Sequence, residues 1–173
     1  MLGSIENGGI VVEFFRSGDR VAHRVLLLGE VVVESVEGTP FEDWPLSPPF
    51  QEVHFEERDP GGRIALLVGM AGRSHWSASV AAEGDAIRWD IACRVREAPT
   101  WLGAAYQIAG TVAIAETTAR VTTPAGSRLQ FIGDTAWEAH DARVQLSVPR
   151  PTEKFPQTMV WQYAVRVSPE LAR

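Results

Sequence analysis

Apolar and polar residues alternate with a period of two along most of this chain, and no long stretch shows the 3.6-residue period of a helix. In the first half, GIVVEFF (9–15), QEVHFEE (51–57), RIALLVGM (63–70), SHWSASVAA (74–82) and AIRWDIACRV (86–95) read as strands. In the second half, YQIAGTVAIAE (106–116), ARVTT (119–123), SRLQFIG (127–133), ARVQLSV (142–148) and MVWQYAVRV (159–167) do the same. The run DRVAHRVLLLGEVVVESVEG (19–38) is too long for an ordinary strand, and Gly29 is expected to mark a bulge or bend in it. Many short strands separated by turn residues predict one antiparallel all-β domain over residues 1–173. A β-sandwich or flattened β-barrel of about ten or eleven strands with little helix is expected. The best helix candidate is DTAWEAHDARVQ (134–145), with Asp134 or Thr135 as its N-cap. TPFEDWPLSPPF (39–50) carries four prolines and reads as a long ordered loop or lid, and PRPTEKFPQT (149–158) as a second Pro-rich connection.

Two hairpins can be placed in register. In ERDPGGR, Pro60-Gly61 suits the centre of a tight turn, because Pro presets φ and Gly tolerates positive φ. That turn sets Val53 opposite Val68 and Phe55 opposite Leu66. In AAEGDAI, a two-residue Gly84-Asp85 loop sets Val80 opposite Trp89, Ala78 opposite Ile91 and Trp76 opposite Cys93. A slip of one residue would turn each of these apolar side chains to the wrong face.

The second register also defines a polar face. Ser79 faces Asp90, Ser77 faces Ala92 and His75 faces Arg94, so His75, Ser77, Ser79, Asp90 and Arg94 share one side of a ribbon. A Ser–His–Asp hydrolase centred on His75 is one reading of that set. A solvated face of cross-strand polar pairs, or a face that contacts a ligand, is the other. Catalytic serines usually sit at a strained turn beside free backbone N–H donors. These serines lie in mid-strand, no Gly-x-Ser-x-Gly is present, and no catalytic residue is assigned.

His54 alternates with Glu52 and Glu56 along one strand, a set chemically able to bind zinc or iron. No HxH or HxxxH spacing accompanies it, and no metal site is assigned. His23 falls on the apolar parity of its strand with Val21, Val25 and Leu27, as a core histidine bonded to backbone would. His140 supports no assignment. Of the six tryptophans, Trp76, Trp89 and Trp161 fall on apolar faces. Trp44 in the Pro-rich loop, and Trp101 with Tyr106 in PTWLGAAYQI, fit either a stacking ligand site or plugs at the end of the sandwich. They join the polar face as candidate ligand contacts.

Composition narrows the function classes. The net charge of −6 argues against nucleic acid or an anionic membrane as a partner. Lys154 is the only lysine among 16 basic residues, which we read as genomic base composition. A lone cysteine, Cys93, excludes an internal disulfide and a multi-Cys zinc site and fits a reducing compartment. The N-terminus lacks the pattern of a signal peptide, and no stretch approaches the roughly 18 apolar residues of a membrane helix, so a cytoplasmic location is expected. No P-loop or dinucleotide fingerprint occurs, and no cofactor is implied. The leading expectation is a non-catalytic module that binds a small ligand or a protein partner. A structural or assembly domain forming homo-oligomers through sheet edges or faces is the alternative, and a hydrolase the last.

Overall fold

The structure is a computed structural model and describes residues 1–169. Strands are numbered in chain order. β1 (Gly3–Asn7), β2 (Ile10–Ser17), β3 (Arg20–Leu27) and β4 (Glu30–Ser35) form a meander. β5 (Phe50–Arg58), β6 (Gly62–Ala71), β7 (Ser74–Glu83) and β8 (Ala86–Val95) form another. β9 (Gly103–Ile108), β10 (Thr111–Ala115), β11 (Thr118–Thr122) and β12 (Arg128–Gly133) follow, then β13 (Trp137–His140), β14 (Arg143–Ser147) and β15 (Gln157–Val167). They build a seven-stranded sheet, β1-β2-β3-β4-β9-β14-β13, and an eight-stranded sheet, β10-β11-β12-β15-β8-β7-β6-β5. Pairing is antiparallel in both. The two sheets pack as an all-β sandwich and do not close into a barrel. Residues 134–145 form the β13–β14 hairpin, turning at Asp141 (φ 52°), and not the expected helix.

The strand count exceeds expectation for local reasons. Residues 19–38 hold two strands, not one bent strand. Leu27 pairs with Glu30, leaving Leu28-Gly29 as a two-residue loop with φ of 52° and 86°. Positive φ at both positions is the geometry whose twist matches a hairpin, so Gly29 is a turn residue. Residues 106–116 also divide, because β9 ends in the seven-stranded sheet and β10 begins in the other. β1 was not foreseen at all. Over the described residues the chain changes sheet five times, and the two Pro-rich segments provide two of these crossings, β4 to β5 and β14 to β15.

The β7–β8 register is the one expected from Gly84-Asp85, pair for pair. The β5–β6 register is not. Arg58 pairs with Gly62, so the loop is Asp59-Pro60-Gly61, one residue longer than a tight turn, with Gly62 taking the positive φ of 71°. Val53 therefore faces Leu67, Phe55 faces Ala65 and His54 faces Leu66. The extra residue turns Leu66 and Val68 outward.

Between the sheets lies one continuous core. Trp76 and Trp89 are buried on its side of neighbouring strands, as is Trp161. Phe14, Phe131, Tyr106, Tyr163 and Trp137 join them in the same cluster. Trp89 stacks on Tyr163 with centroids 5.1 Å apart and planes 11° apart, and Trp137 meets Tyr163 edge-on at 5.7 Å. Offset stacks and edge contacts are the arrangements the aromatic quadrupole favours.

Candidate functional site

Register assigns every outward side chain of the eight-stranded sheet to a row across the strands. The central row runs Val160 (β15), Ala92 (β8), Ser77 (β7), Val68 (β6), Glu52 (β5). On one side lies Thr158–Arg94–His75–Met70, and on the other Gln162–Asp90–Ser79–Leu66–His54. Val160 is 70% exposed, Val68 50% and Met70 44%. Two adjoining open depressions, of about 550 and 600 Å³, lie along these rows and share Val68, Ser77 and Ala92. One is lined by His75 and Arg94, the other by Ser79 and Asp90.

The outward face of the seven-stranded sheet is built differently. Its corresponding row is Glu13–Arg24–Glu34–Gln107–Arg143, with Arg24 Nε donating to Glu13 Oε2 at 2.7 Å. Alternating charge of this kind is an ordinary solvated surface. One face of the sandwich is thus laced with charge, and the other carries exposed apolar side chains, Val160, Val68 and Met70, among polar ones.

The five polar candidates do share the face expected of them. They do not assemble a Ser–His–Asp relay. His75 and Asp90 belong to rows on opposite sides of the central one. Four residues of strand separate the two rows, a distance of about 13 Å, whereas a relay needs hydrogen-bond contact. Asp90 instead lies 3.5 Å from Arg88 Nε. Among the described residues, no hydrogen-bond partner is seen for the side chains of His75, Ser77 or Ser79. His54 is exposed on the same face, with Nε2 3.9 Å from Glu56 Oε1, and no group of three or more His, Cys, Asp or Glu among the described residues is placed to hold a metal ion.

The three aromatic candidates lie elsewhere. Trp44 is half-buried and meets Trp76 edge-on at 5.8 Å. Trp101 Nε1 donates to the Leu46 carbonyl at 3.0 Å, so it ties the Pro-rich loop down. Tyr106 is not a loop residue. It lies on β9 and is fully buried in the core. Its hydroxyl is 2.8 Å from His23 Nε2 and 2.5 Å from the Tyr163 hydroxyl. His23 is thus a core histidine, but its ring bonds a tyrosine and not backbone. Burial lowers its pKa to about 4, so the ring is neutral near pH 7. The same burial raises both tyrosines, so the chain His23–Tyr106–Tyr163 is uncharged.

A second polar group, half-buried, lies nearby. Glu37 is pushed up to about 7 by burial, partly offset by the Ser35 hydroxyl, which donates to Oε1 at 2.6 Å, and by the charge of Arg20. Arg20 is itself buried, and its guanidinium donates to the carbonyls of Thr39, Pro49 and Met70. These bonds fasten the Pro-rich loop to the sandwich.

Reasoning from sequence missed the apolar half of the outer face: Leu66, Val68, Met70 and Val160. A signal was present. RIALLVGM and MVWQYAV are apolar on both parities, unlike the alternating strands around them. A strand of that kind is covered on both sides or exposes apolar surface on one.

Among the described residues no helix is long and apolar enough to cross a membrane. The chain matches none of the known protein families, and none of the curated proteins, with which it was compared. One solved structure, described as "Putative kojibiose phosphorylase from human microbiome", superposes with a TM-score of 0.50 at 8% sequence identity. The match covers 94% of this chain and 29% of that one. At this identity the likeness is one of fold.

Proposed function

We propose that this protein is a binding module that engages another protein through the outer face of its eight-stranded sheet. The observation behind this reading is the exposed apolar side chains Val160, Val68 and Met70, which share this face with His75, Ser77, Ser79, Asp90 and Arg94. An apolar patch rimmed by polar residues is the usual mark of an interaction surface. The shape of the face favours a protein over a small molecule. Small-ligand sites enclose most of their ligand in a cleft. Here the depressions on the face are open.

A photo-crosslinking amino acid tests the reading. A benzophenone-bearing residue placed at Ser77, in the middle of the face, should give discrete protein adducts on irradiation in cells of the source organism. The same residue at Glu34, on the charged outer face, should give none. Equal adducts from both positions, or none from Ser77, would refute the proposal.

A further inference from the structure

We infer that the partner of this face is a second copy of the chain, packed face to face about a two-fold axis that runs along the Val160–Ala92–Ser77–Val68 row. The inference rests on the reading of that face as a protein-binding surface, and adds the partner and its orientation.

The rows supply the argument. A two-fold axis along the central row keeps each strand over its own copy and exchanges the two flanking rows. Arg94 then lies over Asp90 of the second copy, and Asp90 over its Arg94, because both residues belong to β8 and lie two positions either side of Ala92. Met70 meets Leu66 of the second copy, since both belong to β6. His75 meets Ser79, both of β7. Val160, Ala92 and Val68 lie near their own copies, apolar on apolar. The other simple choice, an axis parallel to the strands, places Arg94 over His75 and Asp90 over Ser79 and matches no opposite charges. A self-complementary patch is what an isologous dimer requires, and charge complementarity selects between the two axes.

The area suffices. Five adjacent strands at about 4.8 Å spacing, each about ten residues long at about 3.3 Å per residue, present a face of about 800 Å². A standard-size interface buries about 800 Å² per partner. Like charges meet at Glu52, at the β5 end of the central row, and at Arg88 and Arg96, which lie four positions either side of Ala92; Arg88 is paired within its own chain with Glu83 and Asp90. Packed sheets cross at about 30°. With the pivot at Ala92, a residue three strands away, about 14 Å, is displaced about 7 Å from its mate. The edge glutamates therefore separate while the contacts around β8 stay within reach.

Charge exchange tests the geometry directly. Arg94 and Asp90 are both exposed, so neither substitution opens a cavity. The wild type should sediment as a dimer at about 100 µM. Arg94→Asp faces Asp90 of its copy, and Asp90→Arg faces Arg94, so each variant alone should associate at least about tenfold more weakly. Mixing the two variants should restore the dimer as a heterodimer, because each then presents the charge the other lacks, and the double variant Arg94→Asp/Asp90→Arg should dimerise by itself. Recovery on mixing also shows that both chains are folded. A monomeric wild type at that concentration would overturn the inference, as would single variants that dimerise like the wild type or a mixture that stays monomeric. The two readings fail separately: a Ser77 adduct to a different protein sinks self-pairing and leaves the binding face standing, whereas no adduct sinks both.

Discussion

Glu37 is half-buried and His23 buried in one sandwich, and their titrations should oppose each other. The His23 pKa falls from 6.5 to about 4 in the folded protein, through burial. Between those values the unfolded chain binds a proton that the native chain does not. The His23 contribution is therefore complete above pH 6.5 and is lost as the pH falls to about 4. Glu37 rises from 4.5 to about 7, again through burial, against the pull of Ser35 and Arg20. Here the native chain keeps a proton that the unfolded chain has released. This contribution is complete below pH 4.5 and is lost as the pH rises to about 7. Each slope is about 1.4 kcal/mol per pH unit, so each group moves stability by about 3 kcal/mol in all. In the overlap the two nearly cancel. The wild type should show little pH dependence from these groups between about pH 4.5 and 6.5. Glu37→Gln removes one titration and keeps an oxygen to accept the Ser35 hydroxyl. Urea denaturation across this pH range gives the unfolding free energy of both proteins, and their difference isolates Glu37 from every group they share. Relative to the wild type, Glu37→Gln should gain about 3 kcal/mol between pH 4.5 and 7. His23→Gln should show a difference of opposite slope. Parallel wild-type and Glu37→Gln profiles would refute the reasoning, since a group that titrates alike in both states cannot contribute a slope.

Tyr106→Phe removes the hydroxyl that bonds both His23 and Tyr163, and should cost about 2–3 kcal/mol by thermal or chemical denaturation. Tyr163→Phe leaves the Tyr106–His23 bond in place and should cost about 1 kcal/mol, so equal losses would contradict the chain order. His75→Ala removes an exposed ring and, measured at a dilution where the chain is monomeric, should change stability by no more than about 0.5 kcal/mol. A melting temperature lower by roughly ten degrees at that dilution would mean that this face is covered within the single chain.

How far the sequence reaches differs from strand to strand. The β7–β8 hairpin was fully legible. Its apolar parity is unbroken and its loop is the shortest possible, so register and faces followed, and with them the shared position of His75, Ser77, Ser79, Asp90 and Arg94. The β5–β6 hairpin has the same kind of signal, but its loop holds one residue more, and that residue decided whether Leu66 and Val68 point inward or outward. Alternation in a strand specifies two faces without saying which one a second sheet will cover. For RIALLVGM, apolar on both parities, the choice was made by the sheet opposite.

The sequence by itself determined that this chain forms strands, where most of them lie, and which side chains share a face within a hairpin, because period and turn chemistry act over a few residues. Only the tertiary structure decided that β9 and β10, contiguous in sequence, belong to different sheets. It also decided that Tyr106 reaches His23 and Tyr163, and that Val160 stands beside Ala92 from the far end of the chain. Those facts depend on contacts between residues distant in sequence, and burial, pKa and the composition of an exposed face are set by such contacts rather than by neighbours along the backbone.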